Sequence, residues 1–167
     1  MARRASPQTA VVFYSLEGNV RHLAHAIAAA TEADCIELKP LVHERDTELA
    51  EYVWGDMRII CSPKPQLEPP ARDPTDYDLV FLGSPVWKGG VAPPILSFLD
   101  DHDFFKKRFA LFCSYSGRAG SFFDQANRLM LGCNIVGTIG FRDPLRFGAD
   151  RSAGQIAEWA RKIVGPG

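Results

Sequence analysis

Three short segments hold residue types that could act together on one ligand. Ser15-Leu16-Glu17-Gly18-Asn19-Val20 follows the apolar run Val11-Val12-Phe13-Tyr14 and passes straight into a helical pattern. Ser84-Pro85-Val86-Trp87-Lys88-Gly89-Gly90 ends a second apolar run, Leu79 to Gly83, and Ser114-Tyr115-Ser116-Gly117-Arg118-Ala119-Gly120 ends a third, Phe109 to Cys113. Where a strand stops at a small polar loop and turns into a helix, the first helical N–H groups have no intrahelical partner and sit at the positive end of the helix dipole. A phosphate fits there. Trp87 and Tyr115 add flat walls, and the glycines and serines add backbone and hydroxyl groups that can address a polar ligand edge.

The first segment is not decisive alone, because Gly and Asn also serve merely to turn the chain. It matches neither G-x-x-x-x-G-K-[ST] nor G-x-G-x-x-G, which disfavours a nucleotide held by those fingerprints. Other chemistries find less support. The four cysteines, Cys35, Cys61, Cys113 and Cys133, show no C-x-x-C spacing, so neither a metal site nor a thioredoxin-like motif is indicated and reduced thiols are expected. Cys113 and Arg118 are too close for a C-x-x-x-x-x-R phosphatase loop, and Cys113 reads as a small core hydrophobe. Gly83-Ser84-Pro85 lacks the acceptor Asp of a response-regulator receiver. His22 and His25 read as an exposed helix face, and no side chain is nominated as an acid or base.

The elements that must position these loops follow from periodicity. Val20, Leu23, Ala24, Ile27 and Ala28 form one helical stripe, and Cys35–Lys39 alternates and stops at Pro40 as an edge strand does. Asp46 is placed to cap a helix bearing Leu49, Ala50, Val53, Trp54 and Met57, interrupted by Gly55. Five prolines from Cys61 to Pro74, Pro74 included, mark a long surface excursion. Pro93 and Pro94 open a helix, Ser121 with Asp124 reads as a capping box, Asn134–Phe141 is a further strand, and Ser152 with Gln155 opens a last helix that stops at Gly165-Pro166. Strands and helices alternate throughout, which implies an α/β fold: a three-layer, doubly wound, five-stranded parallel sheet. Ligands of such sheets sit outside the carboxyl ends of the strands, where these three loops are.

Composition sets outer bounds. At 167 residues, 46% hydrophobic and 23% charged, one soluble domain over 9–167 is expected, preceded by a frayed tail at 1–8. The net charge of −1 argues against nucleic-acid binding through a broad basic surface and equally against a strongly acidic carrier. Glu17 and Arg21 interrupt any signal peptide, no run is long enough for a membrane span, and a cytoplasmic location is expected.

In this order, Tyr14-Ser15-Leu16-Glu17-Gly18-Asn19, Tyr77 through Trp87 and Phe112 through Gly117 resemble the flavodoxin-like FMN-binding proteins. The resemblance implies the sheet order 2-1-3-4-5 and an FMN whose phosphate lies among Ser15, Leu16, Glu17, Gly18, Asn19 and Val20. It implies an isoalloxazine ring between Ser84, Pro85, Val86, Trp87, Lys88 and Gly89 on one side and Ser114, Tyr115, Ser116, Gly117 and Gly120 on the other. Val20 stands where the family usually has Thr or Ser, and Glu17 brings a carboxylate to the phosphate loop. The expected function is electron transfer through FMN, to a partner protein or a small acceptor such as a quinone, with a homodimer possible. The alternative is a binding or regulatory module with weak or no flavin affinity.

Overall fold

The computed structural model describes residues 8–41, 50–54, 57–61 and 64–165, with backbone only at 50–54 and 57–61. In chain order the elements are β1 (Thr9–Phe13), α1 (Asn19–Thr31), β2 (Asp34–Glu37), β3 (Ala50–Trp54), β4 (Met57–Cys61), β5 (Leu79–Trp87), β6 (Gly90–Val91), α2 (Pro93–Asp100), β7 (Arg108–Tyr115), α3 (Phe122–Leu129), β8 (Asn134–Arg142), α4 (Pro144–Phe147) and α5 (Ala149–Val164), with a 3-10 turn at Pro74–Asp76. The expected tail at residues 1–7 lies outside the described residues. Gln8 does not fray: its backbone N–H donates to Asp78 Oδ2, and its carbonyl accepts from Asp78 N.

The apolar runs become the strands β1, β5 and β7, buried on both faces as a central parallel strand must be. With β2 and β8 they form a parallel sheet in the order β2-β1-β5-β7-β8, and β6 adds an antiparallel turn back onto β5. Counting the five parallel strands alone, this is the expected 2-1-3-4-5 order. Val11, Phe13, Phe81 and Phe112 pack one face against Leu23 and Ile27 of α1 and Ile156 and Ala160 of α5. Val12, Val80, Leu82 and Leu111 pack the other against Ile95 and Phe98 of α2 and Phe122 and Ala126 of α3. Hence three layers.

Several local expectations are corrected. The segment expected as a helix from Asp46 is a β-hairpin where it is described, with Tyr52 opposite Ile59 and Trp54 opposite Met57; Asp46 and Leu49 lie outside the described residues. Leu49, Val53 and Met57 fit helical spacing, but the β-formers Tyr52-Val53-Trp54 and Ile59-Ile60 flank a two-residue Gly55-Asp56 link, which favours strand pairing. β5 continues past Gly83 through Trp87 despite Pro85. Gly83 aims its carbonyl at Tyr14 N, and Pro85, two residues on, faces the same way where β1 has already ended, so its missing N–H breaks no ladder bond.

The capping box at α3 does not form: Ser121 gives its hydroxyl to Gly89 O at 3.2 Å instead. α5 starts at Ala149, three residues early, and Ser152 lies inside its first turn with its hydroxyl on Ala149 O. His22 is not on a solvated face: its Nε2 meets Ala149 O at 2.9 Å, tying α1 to α5, while His25 is exposed. The excursion after β4 is held by an isolated bridge between Leu67 and Pro40 and by ion pairs of Lys64 with Asp100 and Arg72 with Asp34. Among the described residues no helix is long and apolar enough to cross a membrane.

Candidate functional site

The first loop is shaped by Gly18, whose φ of +91° is open to glycine and strained for other residues, so the chain can swing from β1 into α1. Ser15 Oγ accepts from Arg21 N at 3.1 Å and Gly18 O accepts from His22 N at 2.9 Å. The N–H groups of Asn19 and Val20, earlier in the first turn, meet no acceptor among the described residues. Because the Ser15 oxygen accepts that bond, its proton remains available to donate elsewhere. Arg21 turns away to Glu37 at 2.5 Å, and this hydrogen bond raises its pKa.

The second loop is a hairpin. Trp87 pairs with Gly90, and the two residues between them, Lys88 and Gly89, both have positive φ, the requirement of a type I′ turn. Ser84 is spent inside this loop: its hydroxyl donates to Pro85 O at 2.8 Å and accepts from Ala92 N at 3.2 Å. Val86 is buried opposite Val91. Trp87 is only 5% exposed and meets Tyr14 edge-on at 5.6 Å, so the second loop offers a ligand the margin of the indole rather than a free-standing plate.

The third loop is braced by a residue that the sequence reading did not nominate. Asp143, after β8, donates its N–H to Tyr115 O at 2.9 Å and accepts the Ser116 hydroxyl at 2.9 Å. Asn19 Oδ1 accepts from Leu145 N at 3.1 Å, so the first loop is fastened to α4 as well. Asp143 has a φ of +33°, a conformation that Asp tolerates better than most residues. The Asp143-Pro144 pair was the available sequence signal, a turn-initiating dipeptide before a helix. Gly120 (φ +57°) meets the second loop: an added Cβ would lie 3.2 Å from Gly89 Cα.

Together the loops border an open cleft at the carboxyl ends of β1, β5 and β7, lined by Ser15, Leu16, Glu17, Asn19, Val20, Pro85, Trp87, Ser114, Tyr115 and Asp143. Nine of the residues nominated from sequence line it, with Asp143 as the tenth. The others nominated support it from behind: Gly18 caps α1, Ser84 and Val86 hold the second loop, Lys88 and Gly89 make its turn, and Ser116 holds Asp143. Gly117 has open space around its Cα, and Gly120 seats against Gly89. The buried Cys113 thiol is pushed up to about 12 by desolvation, which leaves it protonated and inert.

The flavodoxin family model matches residues 8–160. The chain belongs to the flavodoxin family. Solved structures agree in fold: a flavoprotein from Lactobacillus acidophilus NCFM in complex with FMN is 22% identical, with 93% of this chain and 99% of that one covered and a TM-score of 0.62. A WrbA-like flavodoxin from Agrobacterium tumefaciens is 19% identical over 95% and 99% of the two chains, TM-score 0.60. The two-electron reduced flavodoxin of Megasphaera elsdenii is 20% identical over 90% and 98%, TM-score 0.51. A search of curated protein sequences finds no match. The Ser121–Gly89 contact, the β5 extension and the Asp143 brace are thus details of a flavodoxin-family chain whose five-stranded frame is shared.

Proposed function

We propose that this flavodoxin-family protein binds FMN in the cleft and passes electrons through it to a protein or small-molecule acceptor. The observation that carries the reading is the convergence of the three loops on one cleft, with unpartnered N–H groups of α1 at one end and Trp87 and Tyr115 at the other. The donor set fits the cofactor. The Asn19 and Val20 N–H groups and the Ser15 hydroxyl suit a phosphate, while Pro85, Trp87 and Tyr115 suit a flat apolar ring. Glu17 is exposed and can turn its carboxylate to water.

Bound FMN supplies reversible uptake and release of electrons at its ring. The chain's own contribution is to orient it and to shield it. The Asp143 carboxylate holds Ser116 and the Ser121 hydroxyl holds Gly89 O, so the two ring-side loops keep a fixed spacing without the ligand. Preformed walls of this kind lessen the ordering cost of binding. No side chain of the cleft is required to move a proton.

The redox part is tested with the FMN-loaded protein, reduced anaerobically by dithionite and mixed with a soluble quinone. The flavin absorbance is expected to return with the quinone faster than in a matched solution of free FMN with the same quinone. A return no faster than free FMN would sink the reductase reading and leave a flavin-binding module.

A further inference from the structure

We infer that the amino-terminal end of the sheet, opposite the cleft, carries a second small-molecule site, a pocket for a single-ring phenol. α2 ends at Asp100 and α3 at Leu129, and the links from them into β7 and β8 surround a cavity of about 220 Å³. Leu99, Leu129, Met130 and Leu131 give it aliphatic walls, and His102, Phe104 and Phe105 give it rings. The 8 residues of β7 separate this end from the cleft, roughly 25 Å of extended chain. The pocket shares no lining residue with the cleft and does not depend on the FMN reading.

Contacts within the chain build these walls. The His102 ring lies 5.5 Å from that of Phe104, 30° from parallel, and its Nδ1 meets Phe98 O at 2.9 Å. A carbonyl only accepts, so Nδ1 carries the proton, and the neutral ring is left with Nε2 as an acceptor that has no hydrogen-bond partner among the described residues. Phe105 donates its N–H to Asp103 Oδ1 at 3.0 Å, and its ring lies on Gly132, where an added Cβ would stand 2.9 Å from it. Lys106 N donates to Gly132 O at 2.7 Å, which ties the two links together. Burial, and after it the Asp103 charge, raises the pKa of the Cys133 thiol, which donates to Phe104 O at 3.3 Å. That thiol stays protonated and engaged, so the pocket holds its ligand without a covalent bond.

Volume and polar lining together select the occupant. An apolar cavity of about 150 Å³ holds benzene, so about 220 Å³ takes one substituted ring and not the three fused rings of a flavin. The side-chain polar atoms still open at the wall, His102 Nε2 and the Asp103 carboxylate, accept hydrogen bonds, so the ring must bring the donor. An aromatic acid would face Asp103 and be repelled. Charge around the mouth is mixed: Asp100 is paired with Lys64, Lys107 Nζ donates to Tyr77 O, and Lys106 Nζ stands 5.2 Å over the Phe105 ring, against Asp101 and Asp103. Such a balance suits a neutral O–H better than an ammonium. Because the walls are set before the ligand arrives, little ordering opposes binding.

Phenol and anisole test this, because the two rings differ in the O–H donor. Backbone amide NMR signals of residues 102–105 and 129–133 are expected to shift saturably with phenol. Phenol is expected to bind about three- to tenfold more tightly than anisole, the worth of one neutral hydrogen bond. His102→Phe keeps a ring against Phe104 and removes the acceptor, so phenol is expected to fall to the anisole level. The wild-type comparison needs no variant and decides the matter if His102→Phe fails to fold. Equal wild-type affinities, a preference that survives in folded His102→Phe, no saturable shift, or shifts confined to residues 15–20 and 85–87 would each overturn the proposal. So would a dimer, seen by sedimentation, that is dissociated by Leu131→Asp at this 84% exposed position, since a second copy would then fill the pocket.

Discussion

Val20 is where a single side chain bears most on the proposed ligand. It is 1% exposed, contributes to the core beneath α1 and lines the cleft beside the phosphate end. Val20→Thr is expected to tighten FMN binding about ten- to a hundredfold, the worth of one hydrogen bond to a charged group, read by fluorescence titration. Without ligand the same hydroxyl is buried unpaired, so the FMN-free variant is expected to melt below wild type. Unchanged affinity would place the phosphate away from this turn. At this scale the sequence was informative where a strand breaks into Gly, Ser and aromatic residues, and so the three loops were legible. Asp143 was not, because its role arises only when the chain after β8 folds back onto Tyr115 and Ser116.

At the scale of elements, the spacing between the ring-side loops depends on two glycines in contact. Gly120→Ala places a Cβ at φ +57° and 3.2 Å from Gly89 Cα. The substitution is expected to cost about 1 kcal/mol, lowering Tm by about 2–4 °C, and to weaken FMN binding several-fold as the loops part. A variant with wild-type Tm and affinity would show that the contact is not needed. The parallel strands and main helices were legible because their apolar runs and stripes are long and bounded by turn residues. The hairpin of β3 and β4 was misread because Leu49, Val53 and Met57 satisfy helical spacing, while the Gly55-Asp56 link and the β-formers on both sides carried the deciding signal. The turn at Lys88-Gly89 was not legible, because Lys-Gly is not among the dipeptides that favour a type I′ turn and β6 is only two residues long.

For the whole molecule, the alternation of elements was enough for a doubly wound parallel sheet with right-handed crossovers, while the 2-1-3-4-5 order of its five parallel strands came from the resemblance to flavodoxin-like proteins. Stability of this frame is expected to fall in alkali. Burial raises the Cys113 thiol from 9.0 to about 12, and burial with the Asp34 hydrogen bond raises Tyr77 from 10.0 to about 12. Both groups hold their protons more tightly folded than unfolded, so their contribution is intact below about pH 9 and lost as pH approaches about 12. Melting curves across that window should show a shallower decline for Cys113→Ala, and identical slopes would contradict the assignment. The central claim, that the three loops form one FMN site, is tested most directly by titrating the flavin-free protein with FMN while following flavin fluorescence and Tm. Saturable quenching at one FMN per chain with a rise in Tm is the expected result; fluorescence and Tm that stay unchanged at excess FMN would contradict it.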